Sequence, residues 1–123
     1  AIELDSELCE LLTNEYKSKK NFKLICSDYL DINLDKLIKD EFNNEEVIVI
    51  SNLPYYITSK IIFKNLESTK ITKQILMVQK EYGDRAISVP GTKKFGRLSV
   101  GVQIFNDVSK VTNVSRNSFA PRP

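Results

Sequence analysis

The chain has 123 residues, of which 41% are hydrophobic, and this is enough for one globular domain or part of one. Its net charge of +2 gives only weak support for a nucleic-acid partner. It contains no histidine, the commonest metal ligand and general base, and no apolar run of membrane-spanning length. We therefore expect a soluble intracellular protein without a bound metal.

The first predicted elements are the end of a strand at Ala1–Asp5 and a helix that Asp5 or Ser6 can cap. The helix is expected to present an apolar face formed by Leu8, Leu11 and Leu12. Glu3 lies where the strand ends. In nucleotide-binding α/β folds, an acidic residue at this position accepts hydrogen bonds from ribose hydroxyls. A lone glutamate at a strand end is more often simply solvated, so both interpretations stay open at this point.

The next predicted strand is Phe22–Cys26, and Asp28 follows its carboxyl end. Asp28 is a candidate site residue, although an aspartate here can also form an Asx-type bend, a role that Asp31 could fill instead. Cys9 and Cys26 both lie in apolar patterns. This favours buried thiols in a reducing compartment, with a disulfide as the alternative.

A short helix is predicted at Leu34–Phe42, and the β-branched run Val47–Ile50 predicts a strand that is buried on both faces. A helical pattern resumes after the turn at residues 52–55, with four apolar side chains on one face: Ile57, Ile61, Ile62 and Leu66. A polar turn between a buried strand and a helix lies at the carboxyl edge of the sheet, where open α/β folds bind ligands.

The turn itself has the sequence Asn52-Leu53-Pro54-Tyr55. Pro54 has no N–H and favours an extended Leu53, so the carbonyls of Leu53 and Pro54 are expected to lack helical partners and to face the site. With the Asn52 side-chain oxygen, they could accept both N–H groups of an exocyclic amine and free its lone pair for attack. The Tyr55 ring would hold the base by stacking. The alternative is a structural corner in which Asn52 caps the turn and Tyr55 packs on the core.

The last third of the chain predicts a strand at Gln74–Gln79, a helix that starts at Lys80, and a basic loop at Thr92–Arg97. The loop interleaves Lys and Arg with Phe95, which suits RNA because the charges meet phosphates and the ring meets a base. A merely solvated loop is equally compatible with these residues. Beyond it, we expect a helical face and a final strand: Leu98, Val102 and Phe105, then Val108–Val114.

Six segments occur in an order and spacing typical of one known family: AIELD, CSDYLD, SNLPYYIT, MVQKEYGDR, KKFGRLSV and SFAPRP. Together they resemble the small-subunit ribosomal RNA adenine N6,N6-dimethyltransferases, which use S-adenosylmethionine. The resemblance implies a doubly wound, Rossmann-like α/β methyltransferase core. Residues 1–123 would be part of the catalytic domain, from its second strand to the Pro-x-Pro segment at 121–123.

The resemblance also implies roles for individual residues. S-adenosylmethionine would be bound by four of them: Glu3 at the ribose, Leu4 as apolar cover, Asp28 at the adenine amino group, and Asn52. The catalytic set would be Asn52, Leu53, Pro54, Tyr55 and Phe119. Ribosomal RNA would be contacted by Lys93, Lys94 and Arg97. For Phe119, which would lie on the second face of the target base, a hydrophobic plug under a proline-rich loop is the competing interpretation.

The family's first strand, its Gly-rich loop and its C-terminal helical domain have no counterpart in this sequence. In the doubly wound order 3-2-1-4-5, that first strand lies between strands 2 and 4. We therefore expect an excerpt that is inactive alone. The full-length protein would be a cytoplasmic or organellar monomer that acts on assembling small subunits, without a metal or a membrane partner.

Three alternatives remain. A large-subunit ribosomal RNA methyltransferase of the macrolide-resistance type would share the fold and most of the motif. A non-catalytic nucleic-acid-binding relative would share the fold alone, and the intact Glu3, Asp28 and Asn52 disfavour it. An adenine-specific DNA methyltransferase could carry the tetrapeptide at 52–55, but it would lack the downstream segments.

Overall fold

The computed structural model describes residues 1–120, and the predicted Pro-x-Pro segment at 121–123 lies outside this range. Strands and helices alternate through most of it: β1 (Ile2–Glu3), α1 (Ser6–Tyr16), β2 (Ile25–Cys26), α2 (Leu34–Phe42), β3 (Val47–Asn52), α3 (Thr58–Leu66), β4 (Ile71–Met77), α4 (Lys80–Ala86) and α5 (Arg97–Gln103). Two short 3-10 helices add to these, at Tyr29–Asp31 and Arg116–Ser118. None of the helices within residues 1–120 is long and apolar enough to cross a membrane.

The strands form two hydrogen-bonded pairs. β1 and β2 are parallel, with Glu3 opposite Cys26. β3 pairs with β4, and it runs in the same direction because Val47 N donates to Lys70 O near one end and Leu53 N donates to Met77 O near the other. Parallel pairing of neighbouring strands is what the predicted doubly wound fold requires.

The described chain forms two compact units: Ala1–Ile50 with Ser59–Ile75, and Ser51–Thr58 with residues 76–120. The core of the first unit includes Cys9, Leu34, Ile38, Ile61 and Ile62. The core of the second includes Leu53, Ala86, Leu98, Ser99 and Val102.

A polar network is built into the first unit around Asn65, which is 1% exposed. Its side-chain oxygen accepts a hydrogen bond from the Tyr29 hydroxyl, and its amide nitrogen donates to Gln74 Oε1 at 2.8 Å. Because every polar atom of this amide needs a partner once it is buried, the network fixes α3 against β4 and the 3-10 helix. Burial also raises the pKa of Tyr29 from 10.0 to about 12.

We expect this shift to appear in a titration of the folded, full-length protein. The pKa of Tyr29 is higher in the folded state, so the folded state holds this proton more tightly, and the linked contribution to stability is fully present below the ordinary pKa of 10.0. That contribution is lost as the pH rises through about 12. The tyrosinate absorbance of the wild type minus that of Tyr29→Phe, plotted against pH, should show one group that ionises well above pH 10.0. A difference curve centred near pH 10 would contradict the burial of this hydroxyl.

Several expected elements differ from the structure. The predicted two-sided burial of β3 is wrong: its residues alternate between half-buried and exposed, and Ile50 is 75% exposed. Within residues 1–120 the exposed face has no covering layer. The apolar face of α1 is likewise not a core face, since Leu8 and Leu11 are 47% and 54% exposed and the buried residue is Cys9.

The predicted strand at Val108–Val114 is also wrong, because these residues form no strand in the described chain and Val111 is 84% exposed. A strand needs a partner, and none is present there. Phe105 is 71% exposed since α5 ends at Gln103. Two other strands have different bounds from those predicted: β2 is limited to Ile25–Cys26 by the short β1, and β4 covers Ile71–Met77 rather than Gln74–Gln79.

The two cysteines follow the alternative interpretation. Cys9 and Cys26 are paired as a disulfide with their Cα atoms 6.0 Å apart. Cys9 is buried and Cys26 is exposed, so the expectation of two buried free thiols is wrong.

Candidate functional site

In the first unit, Glu3 and Asp28 lie at one edge of the β1–β2 pair. Glu3 is the last residue of β1, and its carbonyl accepts a hydrogen bond from Ser27 N at 2.9 Å. Asp28 comes directly after Ser27. Because parallel strands end at the same edge, the structure brings these two predicted residues together.

The Glu3 carboxylate is partly engaged by the backbone. Its Oε1 accepts hydrogen bonds from Leu4 N at 2.8 Å and from Asp5 N at 2.9 Å, which fixes the turn into α1. Within residues 1–120, Oε2 has no such bond and is available to a ligand. Leu4, the predicted apolar cover, is 63% exposed beside it.

Asp28 caps the 3-10 helix at Tyr29–Asp31. Its Oδ1 accepts from Leu30 N at 2.8 Å, and its carbonyl accepts from Asp31 N at 3.1 Å. The suggestion that Asp31 forms the bend is therefore wrong, since Asp28 makes the Asx-type bond itself. As with Glu3, one carboxylate oxygen holds the backbone and the other has no hydrogen bond from the described residues.

In the second unit, the predicted turn follows β3 directly. Asn52 is the last residue of the strand. Leu53 extends the pairing through its N–H, which donates to Met77 O, and the residue as a whole is only 3% exposed. The Pro54 carbonyl accepts from Thr58 Oγ1 at 2.9 Å and from Ile57 N at 3.3 Å. The expectation that this carbonyl lacks partners is therefore wrong, because the first turn of α3 folds back onto it.

Two acceptors remain at the turn. No residue among 1–120 donates a hydrogen bond to the Asn52 side chain or to the Leu53 carbonyl. Asn52 is exposed, and the Tyr55 ring is 56% exposed. The structural alternative, with Asn52 as a cap and Tyr55 packed on the core, does not describe this turn. It presents the Asn52 side chain and an aromatic face to solvent, while the Leu53 carbonyl belongs to a buried residue.

The predicted RNA-binding cations lie between α4 and α5 and at the start of α5. Lys94 Nζ is 2.9 Å from Asp84 Oδ2, which also accepts from Lys80 Nζ at 3.1 Å. Hydrogen bonds from Lys94 and Lys80 lower the pKa of Asp84 from 3.8 to about 2. Within the described chain Lys93 and Arg97 form no ion pair, so they are the more available of the three.

Sequence reasoning gave no role to Arg85, which helps line a cavity of about 350 Å³ in the second unit. Its spacing from Glu81, one helical turn earlier, was the available signal, because residues at i and i+4 share a helix face. The other lining residues are Glu81, Lys93, Lys94, Phe95 and Gly96.

Phe119 follows the 3-10 helix at Arg116–Ser118 and is half-buried. Its ring and that of Tyr55 do not form an aromatic pair within residues 1–120. The placement of Phe119 on the second face of a target base therefore stays a prediction.

The family model described as "Ribosomal RNA adenine dimethylase" matches residues 1–123. The chain is 39% identical over 124 residues to ribosomal RNA small subunit methyltransferase A of Clostridioides difficile (strain 630), covering 100% of this chain and 43% of that protein. It is 41% identical to the protein of that name from Clostridium acetobutylicum, again covering 100% of this chain and 44% of the relative.

A crystal structure of a dimethyladenosine transferase from Plasmodium falciparum superposes with a TM-score of 0.82 and 28% identity, covering 99% of this chain and 42% of that one. The chain thus spans less than half the length of the proteins it matches. Its α/β fold of parallel strands is part of a Rossmann-like methyltransferase core. The chain belongs to the ribosomal RNA adenine dimethylase family.

Proposed function

We propose that the full-length protein transfers methyl groups from S-adenosylmethionine to adenine amino groups of small-subunit ribosomal RNA, giving N6,N6-dimethyladenosine. The main support is the turn after β3, where the Asn52 side chain and the Leu53 carbonyl accept no hydrogen bond from residues 1–120 and the ring of Tyr55 is exposed. A base splayed out of its helix would be the acceptor.

The residues at the β1–β2 edge fit the cofactor. Glu3 and Asp28 each use one carboxylate oxygen on the backbone and keep the other for a ligand donor. Such oxygens suit ribose hydroxyls and an adenine amino group, and the exposed Leu4 offers apolar cover. The bound cofactor supplies an electrophilic methyl group on a positively charged sulfur.

The turn residues would activate the adenine amino group. When the Asn52 side-chain oxygen and the Leu53 carbonyl accept hydrogen bonds from its two N–H groups, the nitrogen lone pair is drawn out of conjugation with the ring and becomes the nucleophile. Stacking on Tyr55 keeps it aligned. The nitrogen loses its proton after the attack, and the leaving thioether is neutral, so no strong base is required. This chemistry is compatible with a chain that contains no histidine.

The RNA is proposed to be held through its phosphates by Lys93 and Arg97, with Lys94 contributing less because Asp84 already neutralises it. The protein would act as a monomer on assembling small subunits in the cytoplasm or an organelle. Phe119 is proposed to cover the second face of the target base.

Replacing Glu3 or Asp28 with alanine should weaken S-adenosylmethionine binding by the full-length protein. One lost hydrogen bond of this kind is worth about 1–3 kcal/mol, or roughly 5- to 150-fold in Kd. Calorimetry would measure the change. Asp31→Ala is the matched control, because it removes a neighbouring exposed carboxylate that has no proposed ligand. Equal affinity in all three variants would remove Glu3 and Asp28 from the cofactor site.

The proposed acceptor is tested by offering small- and large-subunit particles, each lacking its methyl groups, to the full-length protein with labelled S-adenosylmethionine. We expect incorporation into small-subunit RNA. Incorporation into large-subunit RNA alone would identify the macrolide-resistance type instead. RNA binding without any transfer would indicate the non-catalytic relative.

A further inference from the structure

The cavity beside α4 is built from a short helix and the loop that leads to α5. Its volume of about 350 Å³ lies at the lower end of the range for small-molecule sites, about 300–1,000 Å³. Arg85 and Glu81 come from α4, and Lys93 and Phe95 come from the loop.

A buried serine holds these two walls together. Ser99 is 0% exposed, and its hydroxyl donates to Arg85 O at 2.7 Å and accepts from Gly96 N at 3.1 Å. The Ser88 hydroxyl lies 2.9 Å from that of Ser99 and 2.8 Å from Arg85 O. The end of α4 is therefore tied to the start of α5, which fixes the loop that carries Lys93 and Phe95.

The charges of the lining favour an anion. Three cations and one carboxylate surround the space. Lys94 is engaged by Asp84, whereas Arg85 and Lys93 have no ion pair within residues 1–120. Two unpaired cations facing one cavity suit a phosphate, to which a guanidinium can donate two parallel hydrogen bonds.

The other lining groups indicate more than a phosphate. A site for a bare anion gains nothing from the carboxylate of Glu81 or from the half-buried ring of Phe95. A nucleotide uses all of them: its phosphate meets Arg85 and Lys93, its base can stack on Phe95, and its sugar hydroxyl can donate to Glu81.

We propose that this cavity binds one nucleotide of single-stranded RNA, in addition to the base held at Asn52–Tyr55. The inference rests on the proposed function, because it takes RNA as the substrate, and it assigns Arg85 and Phe95 to RNA recognition. Ser99 is a positioning residue for both.

The test uses the full-length protein and a short fluorescein-labelled single-stranded RNA of mixed sequence, with anisotropy read over a series of salt concentrations. Arg85→Gln should weaken binding roughly 5- to 20-fold and lower the slope of log K against log salt by about 0.7, the value for one phosphate contact on a single strand. Phe95→Leu should weaken binding roughly fivefold or more without changing the slope. Lys39 is an exposed lysine on α2, and Lys39→Gln is the control for lost charge. It should change the affinity and the salt slope by less than Arg85→Gln does.

Wild-type affinity and slope in both Arg85→Gln and Phe95→Leu would overturn the proposal. Phe95→Tyr keeps the flat ring and should bind like the wild type; a loss as large as that of Phe95→Leu would contradict stacking. Adenosine monophosphate is the second probe, and tight binding of this free nucleotide would mean a small-molecule site instead of an RNA site.

Methylation of small-subunit RNA is measured in parallel. If the wild type transfers methyl groups and the Arg85 and Phe95 variants bind RNA normally, the proposed role of the cavity is refuted and the proposed function stands. If those variants lose RNA affinity as expected but the wild type transfers no methyl groups, the proposed function is refuted and the role of the cavity stands.

Discussion

Replacing Asn52 with alanine in the full-length protein is expected to lower the rate of methyl transfer by about two to three orders of magnitude. Cofactor affinity should change little, because Glu3, Leu4 and Asp28 would still bind S-adenosylmethionine. The side chain is exposed at the end of β3 and makes no hydrogen bond within residues 1–120, so the fold does not depend on it. Losing one preorganised group at a reacting centre costs about 2.7–4 kcal/mol of barrier. Single-turnover rates with saturating cofactor measure this loss.

Substitutions at two neighbouring tyrosines provide the comparison. Tyr55→Ala should also reduce transfer, whereas Tyr55→Phe should be mild because stacking needs no hydroxyl. Tyr56→Ala is the matched control: its ring is 82% exposed and has no proposed contact. Near-normal turnover in Asn52→Ala would remove that residue from the mechanism, and a severe Tyr55→Phe variant would show that the hydroxyl matters rather than the ring.

These 123 residues, made as an isolated polypeptide, are expected to show no cooperative unfolding transition and no appreciable binding of S-adenosylmethionine. β1 is hydrogen-bonded only to β2, and β3 only to β4, within the described chain. Each backbone group left unpaired in a buried position costs about 1–3 kcal/mol, whereas the free energy of unfolding of a whole domain is only about 5–15 kcal/mol. Apolar side chains such as Ile48 and Ile50 are 57% and 75% exposed, so little burial offsets this cost.

Circular dichroism during heating, with and without the cofactor, tests this expectation. A cooperative transition whose midpoint rises with S-adenosylmethionine would contradict it. The full-length protein measured in the same way is the control, and it should show both features.

The central turn was predictable from the sequence because its signals are local. A β-branched run that ends at a polar residue before proline places Asn52 at a strand end whatever surrounds it. The bounds of α2 match the prediction for the same reason. Asn33 caps the helix, and its Oδ1 accepts a hydrogen bond from Lys36 N at 2.9 Å.

Most of the failures concern partners that lie elsewhere in the chain. The Pro54 carbonyl is the exception, because Thr58 lies only four residues away and a Thr hydroxyl can bond the carbonyl four residues before it. The apolar stretch at Val108–Val114 has strand propensity, but propensity gives no strand without a neighbour to pair with. The spacing of Arg85 from Glu81 is local, but the cavity was missed because its other wall is held in place by Ser99, fourteen residues after Arg85.

The most direct test of the proposed activity is the amount of N6,N6-dimethyladenosine in small-subunit RNA after reaction with the full-length protein and S-adenosylmethionine. Nuclease digestion followed by mass spectrometry of the nucleosides gives this amount. We expect the dimethylated nucleoside to accumulate with the wild type and to stay near background with Asn52→Ala. Unmodified adenosine after the wild-type reaction, in a protein that binds both the cofactor and the particle, would contradict the proposal.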